Sequence, residues 1–163
     1  LPPDDPLAGR TFSLGATAAL PLAGMLTGSI DLVIRARGSA GAPDRYVLAD
    51  YKTNLLGPYG TNDPDAAHPN RLVDAMVEHD YPLQALLYEV ALHRYLRWRL
   101  PDYDPKVHLG GAAYLFLRGM VGPGTRMLND GRRYGVFTWE PPAGLIVGLS
   151  DLLAGAELDE VSP

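Results

Sequence analysis

The sequence predicts a single α/β domain, because strand-like and helix-like segments follow one another along its 163 residues. Two apolar runs rich in β-branched residues cover 22–37 and 46–53. A long segment with helical spacing covers 82–100, and a continuously apolar run at 111–117 follows it, as is typical of a buried strand after a helix. A chain of this length can bury a sizeable core, so one domain over 1–163 is expected.

The first third of the chain is predicted to be mostly extended. Residues 1–9 are rich in Pro and Asp and are expected to form an irregular lead-in, and 11–17 alternate weakly enough for an edge strand. The runs at 22–37 and 46–53 are apolar on both faces, which is typical of central strands. The turn-forming residues 36–44 between them indicate a hairpin with a long loop.

Two helices are predicted in the middle of the chain. The first begins at Asn70, a good N-cap, and continues through Val77 at helical spacing. The segment 80–82 breaks it, and the second helix covers 82–100, with a proline in its first turn. Its buried stripe is predicted to contain Leu83, Leu86, Leu87, Val90 and Ala91, widened by Leu92, Tyr95, Leu96 and Trp98.

The remaining segments are shorter. Residues 118–133 are Gly-rich and irregular, 136–139 form an outer strand, 142–153 form a weak final helix, and 156–163 are an acidic tail. Residues 55–70 lack periodicity and leave directly from the second strand, and loops of this length tend to be functional or disordered. Two interpretations stay open for this loop, a mobile flap over a site and an insertion without a role.

The composition limits the classes of protein that the chain can represent. A formal net charge of −5 argues against a protein that holds nucleic acid by its overall field. Nucleic acid would have to be delivered by another component or be held in a local basic patch. The absence of cysteine excludes disulfides and thiolate metal sites, and it is compatible with a reducing compartment.

Three further expectations follow from the primary structure. No apolar run is as long as a membrane span, and the first residues do not form a signal peptide, so we expect a cytoplasmic protein without a membrane partner. The chain begins at Leu1 rather than at Met, and we expect it to be part of something longer.

Two carboxylates interrupt the apolar strands, Asp31 in the first and Asp50 in the second. Asp50 and Lys52 point to the same face, because side chains alternate along a strand. Two carboxylates within about 4 Å of each other would repel by roughly 4 kcal/mol at an effective dielectric constant near 20. A bound divalent cation turns that repulsion into attraction, and Mg²⁺ favours such carboxylates together with phosphate oxygens. Lys52 would then place a positive charge beside a phosphate or an attacking water.

A plainer interpretation of these residues stays open. Asp31 could lie at the exposed end of an edge strand, and Asp50 and Lys52 could form a surface ion pair worth about 0–1 kcal/mol.

Polar residues also mark the long helix. Gln84 and Tyr88 are four residues apart and therefore share a face. Arg94 and Arg97 fit a solvated face better than a nucleic-acid patch. The four histidines have no metal-ligand spacing and are expected on surfaces or in local hydrogen bonds; they are His68, His79, His93 and His108.

The order of these features resembles the PD-(D/E)XK nuclease superfamily and, more closely, the C-terminal nuclease domains of the RecB family, from the bacterial RecBCD helicase–nuclease. The resemblance rests on GMLTGSIDLV at 24–33, DYKTN at 50–54, YPLQALLY at 81–88 with LHRYL at 92–96, and GGAAYLFLRG at 110–119.

The resemblance implies a restriction-endonuclease-like mixed β-sheet flanked by helices, with the family's first helix missing from this segment. It also implies a metal-dependent deoxyribonuclease of the exonuclease V type, using Mg²⁺ with Mn²⁺ as a substitute. Such a domain hydrolyses phosphodiester bonds of single DNA strands that a helicase delivers during double-strand break repair and recombination. The implied partners are DNA, the other helicase–nuclease subunits and a RecA-type recombinase.

Residue roles carry over from the family by position. Asp31, Asp50 and the main-chain carbonyl of Tyr51 would bind the metal. Lys52 would orient the attacking water and stabilise charge on the phosphate. The family's Gln-x-x-x-Tyr motif falls on Gln84 and Tyr88, which would contact DNA or support the metal ligands. In the family an upstream helix also supplies a His to the metal, and no His precedes Asp31 here.

Two other functions stay open at this point. One is a catalytically silent docking module that binds a recombinase or the helicase partners. The other is a Mg²⁺ phosphohydrolase acting on small nucleotides, for which the sequence offers no nucleotide-binding signature.

Overall fold

The computed structural model of the protein contains a mixed four-stranded β-sheet flanked by helices. It describes residues 1–10, 27–39, 41–57, 63 and 65–155. The elements, in chain order, are β1 (Leu32–Ala36), β2 (Arg45–Lys52), α1 (Pro69–Glu78), α2 (Tyr81–Arg99), α3 (Pro105–His108), β3 (Leu109–Phe116), β4 (Val136–Trp139) and α4 (Ala143–Leu152).

The strands lie in the order β1-β2-β3-β4. β1 and β2 form the predicted antiparallel hairpin, β2 and β3 are parallel, and β3 and β4 are antiparallel. A parallel pair needs a long crossover, which α1 and α2 provide between β2 and β3. The predicted fold class is therefore confirmed as an α/β arrangement consistent with a restriction-endonuclease-like fold. The family's first helix, expected to be missing here, would precede β1, and residues 11–26 lie outside the described part of the chain.

The hydrophobic core lies between β2, β3 and the helices. Its largest fully buried apolar side chains include Leu7, Leu72, Met76, Leu96, Tyr114, Phe116 and Ile146. The lead-in is irregular, as predicted, yet it is packed: Leu7 has no exposed surface, and the indole Nε1 of Trp139 donates to the Asp5 carboxylate at 3.0 Å. This segment therefore covers β4.

The prediction of a central strand over 22–37 is wrong in extent and in position. β1 has five residues, all exposed, and it ends the sheet within the described residues. Asp31 directly precedes β1 instead of lying within it. Apolar composition alone did not reveal this, since Leu32, Val33 and Ile34 remain 39–43% exposed. The edge strand predicted over 11–17 lies outside the described residues.

The predicted extent of the long helix is confirmed within one residue, but its predicted buried face is confirmed only in part: Val90, Leu92 and Leu96 are buried, whereas Ala91, Tyr95 and Trp98 are exposed. Tyr95 and Trp98 are 55% and 75% exposed. The residues that α2 buries are Pro82, Ala85, Glu89, Val90, Leu92, His93 and Leu96. Apolar residues surround this helix, so its periodicity does not select a face, and packing against β3 and α4 decides it instead. Arg94 is also not simply solvated, because it donates to the hydroxyl and carbonyl oxygens of Ser150 in α4 at 3.0 and 2.6 Å.

The first helix begins at Pro69, close to the predicted start, but Asn70 is not its N-cap. His68 is its N-cap, and the Nδ1 atom of His68 accepts a hydrogen bond from the backbone N–H of Asn70 at 3.2 Å. Pro69 fits the first helical position, where no N–H is required. The predicted break before α2 is confirmed at Asp80, which adopts the left-handed conformation with φ 54°.

The loop over 55–70 is described only in part, and residues 58–62 and 64 lie outside the described residues. The choice between a flap and an insertion without a role therefore stays a prediction. The acidic tail over 156–163 also lies outside the described part of the chain. None of the described helices combines the length and the apolarity that crossing a bilayer requires.

A buried acidic side chain on α2 was not anticipated. Glu89 is 1% exposed, and neither of its carboxylate oxygens has a hydrogen-bond partner among the described residues. Burial, reinforced by the charge of Glu140, raises the pKa of Glu89 to about 7. One turn further along, His93 is buried rather than on the surface, and its Nδ1 atom lies 2.9 Å from the Tyr103 hydroxyl. Burial, followed by the charge of Arg97, lowers the pKa of His93.

We expect Glu89→Gln to change how stability depends on pH. A carboxyl group whose pKa is raised by folding destabilises the protein as the pH climbs from its unfolded pKa of 4.5 through its folded pKa of about 7. The free energy of unfolding of the variant, relative to wild type, should therefore rise by about 3 kcal/mol between about pH 4 and about pH 8. Urea unfolding at both pH values measures this change. Glu78→Gln, on the exposed face of α1, is the matched control, and an equal change in both variants would contradict the expectation.

Candidate active site

The candidate site begins at the end of β2. Asp50 is 7% exposed, and the alternation of the strand brings Lys52 to the same face of the sheet. The Nζ atom of Lys52 lies 2.6 Å from Oδ2 of Asp50. This contact is an ion pair, but its angles do not fit a hydrogen bond. Oδ2 of Asp50 has no hydrogen-bond partner among the described residues.

The hairpin brings Asp31 to the same place. β1 pairs with β2 in a register that begins with Leu32 against Ala49. If that register is continued by one residue beyond the strand, Asp31 falls opposite Asp50. Directly opposed residues of an antiparallel pair share a face of the sheet. Oδ2 of Asp31 accepts a hydrogen bond from the backbone N–H of Tyr51 at 3.0 Å, which fixes this carboxylate against β2.

The first turns of α2 hold Lys52 from the other side. Its ammonium donates to Oε1 of Gln84 at 2.9 Å and lies 4.0 Å from the centroid of the Tyr81 ring. Nε2 of Gln84 in turn donates to the Tyr88 hydroxyl at 3.2 Å. Gln84 and Tyr88 of α2, predicted as a polar pair, are therefore connected by hydrogen bonds to Lys52 of β2.

Tyr114 of β3 completes this group, and the sequence reasoning missed it. The β2–β3 register sets it beside Asp50. Its hydroxyl lies 3.2 Å from Oε1 of Gln84 and 3.0 Å from the carbonyl oxygen of Tyr81, and these two acceptors share its one proton. Burial, followed by the charge of Asp50, raises the pKa of Tyr114 far above its usual range, so the hydroxyl remains a donor. A signal was available, since Tyr114 is the one residue with a polar tip in the apolar run 111–117.

The residues present fit a hard divalent cation. Asp31 and Asp50 provide two carboxylates at one end of the hairpin. Tyr51, which follows Asp50 in β2, adds a main-chain carbonyl. The buried Oδ2 of Asp50, without a hydrogen-bond donor, is suited to a cation. Within the described chain no three His, Asp or Glu side chains gather as a metal-binding group, so protein side chains would supply two ligands here. Mg²⁺ is commonly bound in this way, by one or two carboxylates, waters and substrate phosphate.

Comparisons with known proteins relate the sequence of this chain to RecB. RecBCD enzyme subunit RecB of Mycolicibacterium smegmatis is 53% identical over 156 residues, which are 94% of this chain and 14% of that protein. This chain is similar to RecB. RecB of Mycobacterium tuberculosis H37Rv is 52% identical over 156 residues, again 94% of this chain and 13% of that protein. RecB of Escherichia coli K12 is 44% identical over 137 residues, covering 84% of this chain and 10% of that protein. No family model matches the chain.

The similarity confirms the resemblance that the sequence motifs indicated. It covers nearly the whole chain, so the candidate site lies inside the part that resembles RecB. The chain spans no more than 14% of the length of these RecB relatives. The roles of the individual site residues stay predictions.

We expect Tyr114→Phe to lower the free energy of unfolding by about 1–2 kcal/mol, because it removes the hydroxyl that serves both Gln84 and the Tyr81 carbonyl. Urea unfolding measures the loss. Tyr95→Phe is the matched control, since its ring is 55% exposed and the change should cost almost nothing. An unchanged stability of Tyr114→Phe would show that the hydroxyl does not support the site.

Proposed function

We propose that this chain is a Mg²⁺-dependent DNA nuclease domain. It hydrolyses phosphodiester bonds of DNA strands that a helicase delivers, as part of a RecBCD-type enzyme in double-strand break repair and recombination. The observation that supports the proposal is the contact between Lys52 and Asp50 at the end of β2, together with the hydrogen bond that holds the Asp31 carboxylate on the backbone N–H of Tyr51. The similarity to proteins named as RecBCD enzyme subunits supports the choice of DNA as substrate.

The proposed roles follow from the donor atoms. Asp31, Asp50 and the carbonyl oxygen of Tyr51 would hold the Mg²⁺. When bound, this cation supplies positive charge at the phosphate oxygens and makes a water molecule easier to deprotonate. Lys52 orients that water and offsets the negative charge that develops on the phosphate.

The surroundings of Lys52 support this role, because they fix the ammonium before substrate arrives. Asp50, Gln84 and the ring of Tyr81 each contact it, and the side chain is 12% exposed. A donor that is already in place needs no reorganisation during the reaction, which is the main source of electrostatic catalysis.

We expect Lys52→Met and Asp50→Asn each to reduce Mg²⁺-dependent cutting of single-stranded DNA by at least about 100-fold. Lys52→Met removes the ammonium that offsets charge on the reacting phosphate, and Asp50→Asn removes a charged ligand of the proposed Mg²⁺. Release of nucleotides from a labelled strand by the full-length protein measures the loss. Arg97→Gln, on the exposed side of α2, should cut at the wild-type rate. Wild-type cutting by either site variant, with circular dichroism showing a folded protein in all cases, would overturn the proposal.

The metal requirement has a test that does not depend on cutting. Calorimetric titration with Mg²⁺ or Mn²⁺ should show binding that Asp31→Asn and Asp50→Asn each weaken by at least about tenfold, because each removes one of two charged ligands. Lys106→Gln, exposed on α3, should bind the metal as wild type does. Failure of the wild-type protein to bind either ion at millimolar concentration would exclude the metal role.

A second candidate function is docking of a recombinase or of the helicase partners by a silent domain. The exposed apolar side chains of β1 favour it, since Leu32, Val33 and Ile34 are 39–43% exposed. The metal titration distinguishes the two functions. A nuclease domain should bind Mg²⁺ or Mn²⁺, whereas a silent domain has no need of a cation between Asp31 and Asp50.

A further inference from the structure

One arginine lies beside the candidate site without a role in it. Arg118 follows the end of β3 by two residues, and the β2–β3 register sets Phe116, the last residue of β3, against Lys52. Nε of Arg118 donates to the carbonyl oxygen of Thr53 at 2.7 Å. A hydrogen bond therefore holds the guanidinium beside Thr53, the residue that follows Lys52.

The charge of Arg118 is not neutralised by the described residues. The seven ion pairs among them involve other cations. A guanidinium has five N–H donors in a planar fork. The bond to Thr53 uses Nε, and it leaves the two terminal nitrogens of an exposed side chain for another acceptor. Such a fork matches two oxygens of a phosphate.

A groove of about 300 Å³ opens next to this guanidinium. Its lining includes Leu55, Leu56, Arg118, Val121, Arg126 and Tyr134. The guanidinium of Arg126 lies 2.9 Å from the carboxylate of Asp65 and 4.3 Å from the Tyr134 ring, so its charge is already paired. Asp63, at the same groove, is paired with Arg71. Among the described residues that line the groove, Arg118 is thus the charged side chain without an ion-pair partner, beside apolar side chains and paired charges.

We propose that Arg118 binds a backbone phosphate of the DNA strand adjacent to the bond that is cut, with the neighbouring nucleotide lying in this groove. The inference rests on the proposed nuclease function and extends it to the path of the strand. A chain with a net charge of −5 does not attract a polyanion by its overall field, so contact with the strand depends on local cations such as this one. Apolar walls beside a phosphate-binding fork suit a base attached to that phosphate.

The test compares Arg118→Gln with wild type in the full-length protein, using a short labelled single-stranded oligonucleotide as substrate. Because the contact is made in both ground and transition states, KM should rise by about tenfold while kcat stays within about twofold. The slope of log(kcat/KM) against log[salt] should become shallower by about 0.7, the value for one phosphate contact on a single strand. Arg118→Lys, which keeps the charge, should restore most of that slope, and Arg97→Gln is the matched control.

Two results would overturn the inference. One is an unchanged KM and salt slope in Arg118→Gln. The other is a lower melting temperature with an unchanged salt slope, which would mean that Arg118 only ties the chain after β3 to β2.

A separate measurement distinguishes this inference from the nuclease proposal. Fluorescence anisotropy with the same oligonucleotide in Ca²⁺ reports binding without cutting. If wild type does not cut but Arg118→Gln still loses salt-dependent binding, the nuclease proposal fails and the phosphate site stands. If wild type cuts and Arg118→Gln binds as wild type does, the phosphate site fails alone.

Discussion

The contact between Lys52 and Asp50 is the interaction on which the arrangement of the surrounding residues depends. Both side chains are nearly buried, at 12% and 10% exposure, and a pair of charges in that position needs further partners to offset the loss of water. Gln84 and two aromatic rings supply them for the ammonium. The sheet and α2 are therefore joined at the candidate site by polar contacts as well as by apolar packing, and α2 cannot shift along the sheet without uncovering a charge.

Much of the architecture was predictable, and the errors have a common cause. β2, β3, β4, α2 and α4 follow from local patterns, because periodicity and breakers act within a few residues. The edge position of β1 and the buried face of α2 depend instead on which neighbours the sheet provides, which a single strand or helix does not encode. The same difference holds for the site. Asp31, Asp50 and Lys52 were recognised from the sequence because they are charges in apolar runs. Tyr114 and Arg118 were not, because only the parallel β2–β3 register places them beside Asp50 and Lys52.

The similarity to RecB and the acidic composition are compatible with each other. The matched segment is no more than 14% of its RecB relatives, so most of each relative lies outside it. Under the proposed function, a domain to which a strand is delivered needs a few well-placed cations rather than a basic surface. Most arginines of the described chain are bound to carboxylates or carbonyl oxygens, which fits a surface that does not compete for nucleic acid.

Helix α2 is fixed at two points along its 19 residues. Gln84 is held near its start by Lys52 and Tyr114, and Arg94 is held near its end by Ser150 of α4. Each residue added to or removed from a helix rotates everything beyond it by about 100°. An insertion or deletion of a single residue between these two points would therefore leave one of them facing the wrong way. The spacing from Gln84 to Arg94 is thus a fixed length in this fold, whichever apolar side chains fill the buried positions between them.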